Sequence, residues 1–190
     1  KTPVAFANLA PNLAHNMRDN HLVNITKGLD KSPVHRRVDM DYIGIKQYDK
    51  KGKLIGEHRF MGLFTSKAYT TPAREIPIVR QKIQTILDDA ANQGSDTHNF
   101  KALANILETY PKDELFQIDL SDLRRISNGI VHLSERQKVR MFARREGRER
   151  LVTVMAFLPR DRMNSTIRKK IIRILMDAYN GEDIEYSTTY

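Results

Sequence analysis

The chain has 190 residues, 40% hydrophobic and 29% charged, enough for a sizeable core under a well-solvated surface. It lacks cysteine, which excludes disulfides, thiolate metal ligands and a cysteine nucleophile, and no apolar run approaches the length of a membrane span. A net charge of +9 raises the question of a nucleic-acid partner, which only clustering of that charge can support.

Residues 1–33, with "NLAPNLAHNMRDNH" among them, are polar and without sustained period. They read as an arm or linker, with Leu22, Val23 and Ile25 in one short strand. From Val38 the pattern sharpens: Val38, Met40 and Tyr42 alternate with Asp39 and Asp41, the period of a strand. "KKGK" supplies a turn and "LIGEHRFMGLFTS" runs back, which predicts a hairpin. Gly44, Gly56 and Gly62 weaken strands, so bulges or close backbone approach are expected there.

Pro77 then opens a helix whose buried stripe is Val79, Ile83, Ile86, Leu87 and Ala90, with Gly94 as its stop. Phe100, Leu103, Ala104 and Leu107 mark a second helix, ended by Pro111. A third is capped by Ser121 and buries Leu123, Ile126, Ile130 and Leu133, although Gly129 weakens it by up to about 1 kcal/mol. "KVRMFARR", the turn "EGR" and "ERLVTVMAFLP" predict a second hairpin. Asn164 or Ser165 caps a last helix that buries Ile167, Ile171, Ile174, Leu175 and Ala178, and Ile184 and Tyr186 open a further strand. Hairpin followed by helix thus occurs twice, with no alignable repeat between the two copies.

The six histidines never fall at i, i+4 from one another, and neither a dinucleotide nor a nucleotide-triphosphate glycine motif is present. No GxSxG elbow surrounds a serine. These residues offer no catalytic, cofactor-binding or metal-ligating set. The stretch "NILETYPKDELFQI" deserves a separate reading, because Glu108, Asp113 and Glu114 crowd around Pro111. Paired catalytic carboxylates would need a pocket and a proton partner. Acids in the first turn of a helix complement its positive end, by about 0.3–1 kcal/mol each. The segment therefore reads as helix, proline break, helix, with Tyr110 and Phe116 closing the corner.

"NILETYPKDELFQI" also resembles a segment of the large multidomain NAD-specific glutamate dehydrogenases of bacteria. "VHRRVDMDYIGIK", "FMGLFTSKAY", "REIPIVRQKI" and "VRMFARREGRERLVTVMAFLPRDRMNSTIR" resemble that family's regulatory N-terminal half, in the same order, over residues 34–190. The resemblance implies an intact cytoplasmic homo-oligomer that converts L-glutamate, NAD and water to 2-oxoglutarate, ammonium and NADH. Its catalytic domain would lie beyond Tyr190, consistent with a chain that starts at Lys1 and stops within "DIEYSTTY". The region here would be its non-catalytic regulatory part.

The expected fold is α+β: ACT-like, ferredoxin-like hairpin-plus-helix modules at 34–94 and 137–190, joined by a helical connector at 95–136. A full ACT module runs βαββαβ, whereas residues 139–190 read as ββαβ. Expected partners are a second copy, the catalytic domain of the same chain and an amino-acid effector of unknown identity and site. The rival reading is a ferredoxin-like nucleic-acid binder that uses Arg144, Arg145, Arg148 and Arg150 with Arg168, Lys169, Lys170 and Arg173. It is the weaker one. Single-stranded RNA readers of that fold place exposed aromatics beside such groups, and Phe142 and Phe157 are more simply core.

Overall fold

The computed structural model describes residues 4–5, 21–35, 37–133, 139–145 and 151–188. Most of the polar arm and the turn carrying Arg148 and Arg150 lie outside the described residues. The period-two run becomes β3 (Asp39–Tyr48), and "LIGEHRFMG" becomes β4 (Leu54–Gly62). The residues expected as one short strand form a nine-residue β2 (Val23–Lys31), and β1 (Val4–Ala5) adds two residues at the other edge. The four strands lie antiparallel in the order β1-β4-β3-β2. The register shifts between Gln47 and Tyr48, whose partner strand carries Gly56 there, as expected; a further shift lies between Lys27 and Lys31, away from the three glycines singled out, and Gly44 and Gly62 pair in regular register.

After β4 come a short helix α1 (Ser66–Thr70) and a 3-10 turn at Ala73–Glu75. Then follow α2 (Val79–Asn92), α3 (Thr97–Thr109), α4 (Lys112–Gln117) and α5 (Leu120–Val131). The predicted stripes meet: Val79, Ile83, Ile86 and Ala90 of α2 share one core with Leu103 and Leu107 of α3 and Leu123 and Ile126 of α5. Pro77 stands two residues ahead of α2. Between them Ile78 takes φ 70° and ψ −54°, with the Val79 N–H bonded to the Pro77 carbonyl at 2.9 Å. That is a strained three-residue γ-turn, unusual for a β-branched residue. Asp96 and Asp119 cap α3 and α5 by accepting from the Asn99 and Asp122 N–H groups. Ser121 is not the cap of α5; its hydroxyl instead donates to the Asp119 carboxylate at 2.8 Å.

The second hairpin is β5 (Arg140–Arg145) with β6 (Val152–Phe157), a sheet of two strands. Phe142 joins the helical core and meets Phe157 edge-on, with ring centroids 5.9 Å apart. Gly129 of α5 makes this docking possible. A Cβ added there would lie 2.5 Å from the Phe142 ring, so the residue that weakens the helix is the one that admits the hairpin.

The last helix, α6 (Ser165–Tyr179), is capped by Asn164 as expected and ends at Asn180, at φ 49°. Its inward face is rotated from the predicted one. Ile167, Ile171, Ile172, Leu175 and Met176 are half-buried, whereas Ile174 is 54% exposed and Ala178 is exposed too. No residue of α6 is fully buried. The expected strand at Ile184 and Tyr186 does not form. That stretch has no ladder partner among the described residues, and the Arg168 guanidinium lies over the Tyr186 ring, 5.2 Å from its centroid. No helix among the described residues is long and apolar enough to cross a membrane.

Candidate functional site

The acid-rich stretch around Pro111 is a junction rather than a plain hinge. Pro111 ends α3 at Tyr110 and serves as the N-cap of α4, so Glu108 sits on one helix while Asp113 and Glu114 sit on the next. Each acid holds a different part of the molecule. Glu108 accepts from the Ala73 N–H at 2.8 Å and pairs with the Arg74 guanidinium at 3.4 Å, which fixes the 3-10 turn ahead of α2.

Asp113 reaches the first sheet. Its carboxylate accepts from the Tyr69 hydroxyl at 2.9 Å and lies 3.5 Å from the Lys27 ammonium. Lys27 in turn pairs with Asp41 at 2.7 Å, and Asp41 accepts from the Phe64 N–H at 2.9 Å. Burial alone would lower the Lys27 pKa, but its bond to Asp41 and the charges of Asp41 and Asp113 raise it above its ordinary value. Burial and the bond to Asp113 push the Tyr69 phenol up to about 12. Phe116, one turn along α4, stacks on Phe64 with centroids 4.3 Å apart.

Glu114 reaches the second hairpin. Arg144 donates to it from Nε at 3.2 Å and from Nη2 at 3.0 and 3.2 Å, and Thr153 of β6 donates at 2.8 Å. The pair is well screened from water, with side chains 7% and 14% exposed, so this bidentate contact is a strong one. The far end of α4 is closed by Lys82 of α2. Its ammonium donates to the Leu115, Phe116 and Ile118 carbonyls at 3.1, 3.4 and 2.6 Å. Burial pushes Lys82 down to about 8, against the charge of Asp119. At neutral pH it is therefore still largely an ammonium, suited to the negative end of a helix.

Three acids, two lysines and a six-residue helix thus link both sheets and the helical core. Each of the acids is engaged by a cation: Glu108 by Arg74, Asp113 by Lys27 and Glu114 by Arg144. Sequence inspection located these acids around Pro111 but missed the connections themselves. Adjacent residues on α4 point to different partners far away along the chain, and no local pattern signals that.

The face of the first sheet opposite the one that carries Ile25 and Asp41 holds a second polar group. Thr26, Tyr42, Lys46 and Glu57 are all buried there, and Tyr42 and Arg59 both donate to the Glu57 carboxylate. Gly44 leaves the room: a Cβ at that position would stand 2.7 Å from the Glu57 carboxyl carbon. A cleft of about 560 Å³ opens between α2 and α3, floored by Ile83, Leu87 and Ala104 and edged by Arg80, Gln84 and Asn105. Among the described residues no three His, Asp or Glu side chains gather in a way that could hold a metal ion.

The basic groups singled out for nucleic acid separate in space and role. Arg144 is buried on Glu114 and is not available to a phosphate backbone. Arg148 and Arg150 lie outside the described residues. Lys169, Lys170 and Arg173 stand exposed on α6.

Residues 76–136 match the family described as glutamate dehydrogenase, helical motif 1, and residues 140–190 match the glutamate dehydrogenase ACT2 domain. The first match spans α2 to α5 with the junction, and the second spans the two-stranded hairpin, α6 and the tail. The NAD-specific glutamate dehydrogenase of Halomonas elongata is 35% identical over 167 residues, 88% of this chain and 10% of that protein. The enzyme of the same name from Pseudomonas aeruginosa is 36% identical over 176 residues, 92% of this chain and 11% of that protein. That of Mycobacterium tuberculosis is 26% identical over 145 residues. The chain spans about a tenth of the length of the curated relatives it matches.

Proposed function

From a chain that belongs with the large NAD-specific glutamate dehydrogenases and carries their helical motif 1 and ACT2 regions, we infer a regulatory and assembly element. The parent activity would be NAD-dependent oxidation of L-glutamate to 2-oxoglutarate and ammonium, in the cytoplasm, by residues outside this chain. Within the chain, residues 34–94 and 137–190 act as two ACT-like units on either side of the helical connector.

The observation that carries this reading is the junction. Glu108, Asp113 and Glu114 are occupied in holding the 3-10 turn, the first sheet and the second hairpin. A change in the first sheet or the second hairpin reaches α4 through Asp113 or Glu114, and the Glu114 pair with Arg144 is directional and largely dry. Such an element transmits a shift without performing chemistry. An amino-acid effector and docking to the catalytic domain are its proposed inputs and outputs.

Thermal melts of the chain with each common amino acid, and with single-stranded RNA as the control, test it. One amino acid should stabilise the chain, by about 2.7 kcal/mol at a hundredfold excess over Kd. Stabilisation by RNA that disappears with salt would favour the nucleic-acid reading instead. NADH formation from glutamate and NAD by the chain alone would overturn its non-catalytic role.

A further inference from the structure

We propose that the cleft between α2 and α3 binds a medium-chain carboxylate, an acyl chain with one terminal carboxylate and no ammonium. This ligand class is separate from the amino-acid effector inferred above, and the proposal does not depend on that reading.

The cleft, of about 560 Å³, lies within the size range of small-molecule sites. Its donors are unspent. The Arg80 guanidinium and the side-chain amides of Gln81 and Asn105 make no hydrogen bond or ion pair among the described residues. Arg80 has no acid three or four positions away on its own helix, where Ile76, Pro77, Ile83 and Gln84 stand. Arg74 is 73% exposed and reaches Glu108 only at 3.4 Å. Glu108 is the one acid of the wall, and its carboxylate is already shared between the Ala73 N–H and Arg74. Two arginines against one glutamate leave the wall at +1, which a single carboxylate answers. An ammonium beside that carboxylate would find no free acid. Recognition falls to these side chains, because the Val79, Arg80, Gln81 and Lys82 N–H groups at the start of α2 are already bonded to the Pro77, Ile76 and Ile78 carbonyls.

The floor sets the body of the ligand. Arg80, Ile83 and Leu87 follow one another along α2 at steps of three and four, with Ala104 supplied by α3. From Arg80 to Leu87 the helix rises roughly 10 Å, the length of an acyl chain of about eight carbons. No cation but Arg74 and Arg80 lines the cleft, so a second carboxylate beside Leu87 would be left unpaired on an apolar surface. Three apolar side chains are too few for a protein partner, whose contact takes about 800 Å² on each side. Occupancy reaches the junction described above, because a carboxylate on Arg74 competes with Glu108, the acid that fixes the 3-10 turn.

Isothermal titration calorimetry of the 190-residue chain with octanoate tests the site. Octanoate should bind one-to-one and shift the side-chain amide signals of Gln81 and Asn105 in NMR spectra. Arg80→Gln should weaken binding by about tenfold or more, the loss of one charge-assisted contact. Ala104→Leu, which fills the floor, should weaken it too, whereas Arg173→Gln on the exposed side of α6 should leave Kd unchanged. The α-amino derivative of octanoate and the dicarboxylate octanedioate should each bind about tenfold more weakly or worse. No octanoate binding, or binding that survives both Arg80→Gln and Ala104→Leu, overturns the site and leaves the amino-acid reading untouched. Equal binding of the α-amino derivative overturns the ligand class.

Discussion

Helices α2 and α6 have similar apolar periodicity, and each follows an antiparallel hairpin, yet they are buried to very different degrees. Val79, Ile83, Ile86 and Ala90 of α2 are enclosed by α3 and α5, whereas no residue of α6 is fully buried. An amphipathic stripe shows that a helix has something to bury, not that the chain at hand supplies all of the cover. The sheets differ in the same sense. Four strands with polar groups buried on one face stand against a two-stranded hairpin, which is marginal without further packing.

Matched substitutions would break this comparison most directly. Ile86→Asp places a carboxylate where the side chain is 1% exposed, and the expected cost of about 4 kcal/mol or more removes most of a domain's stability. Ile171→Asp, its counterpart on the half-buried face of α6, should cost clearly less in urea titrations of the dilute chain. Equal losses would mean that α6 is as enclosed as α2.

Between these helices lies the link through α4. Glu114→Ala strands Arg144 in a largely dry site, and the expected cost is about 3 kcal/mol, the range for breaking a buried pair. Limited proteolysis should then cut first in the β5–β6 hairpin, and unchanged protection would detach the hairpin from the junction. Gly129→Ala is smaller and tests the same docking from the other side. Helix propensity alone would gain about 1 kcal/mol, but the methyl would collide with the Phe142 ring, so a net loss is expected. A gain in melting temperature would show that the hairpin sits loosely.

Tyr110→Phe has the smallest effect at neutral pH. The Tyr110 hydroxyl is buried without a hydrogen-bond partner among the described residues, so its removal should change stability by less than about 1 kcal/mol. Burial raises the phenol above its ordinary value of 10.0. The folded pKa therefore exceeds the unfolded one, and stability present below pH 10 is lost as pH rises beyond it. The variant should show a shallower alkaline decline. An unchanged pH profile would assign that decline to other groups, of which Tyr69 is one.

Much of the fold was legible where local rules decide it. Alternation through Asp39 and Met40 marked β3, and steps of three and four through Ile83 and Ile86 marked α2 with its inward face. The face of α6 was read less well, because Ile171, Ile172, Ile174, Leu175 and Met176 are apolar nearly all round the helix and only packing selects the inner edge. The tail at Ile184 has strand-like composition but no neighbour to complete a ladder among the described residues, and a strand is defined by its partner. Burial of Lys46 and Glu57 in the first sheet runs against ordinary patterning, and the Tyr42 and Arg59 contacts to Glu57 are tertiary ones that no local pattern signals. The junction could be located from its acids, but not its connections, since Lys27 and Asp113 are separated by 86 positions.

That separation bears on the order in which the molecule assembles. The helical core from α2 to α5 is built from neighbours in sequence and can condense early, with little loop entropy to overcome. The contacts from Asp113 back to Lys27, and from Glu114 forward by 30 and 39 positions to Arg144 and Thr153, must await distant chain on either side. Helix α4 is then a late clasp, closed from two directions after its surroundings have formed. Weakening it should quicken unfolding while leaving the folding rate nearly unchanged, a difference that stopped-flow kinetics of Glu114→Ala would resolve.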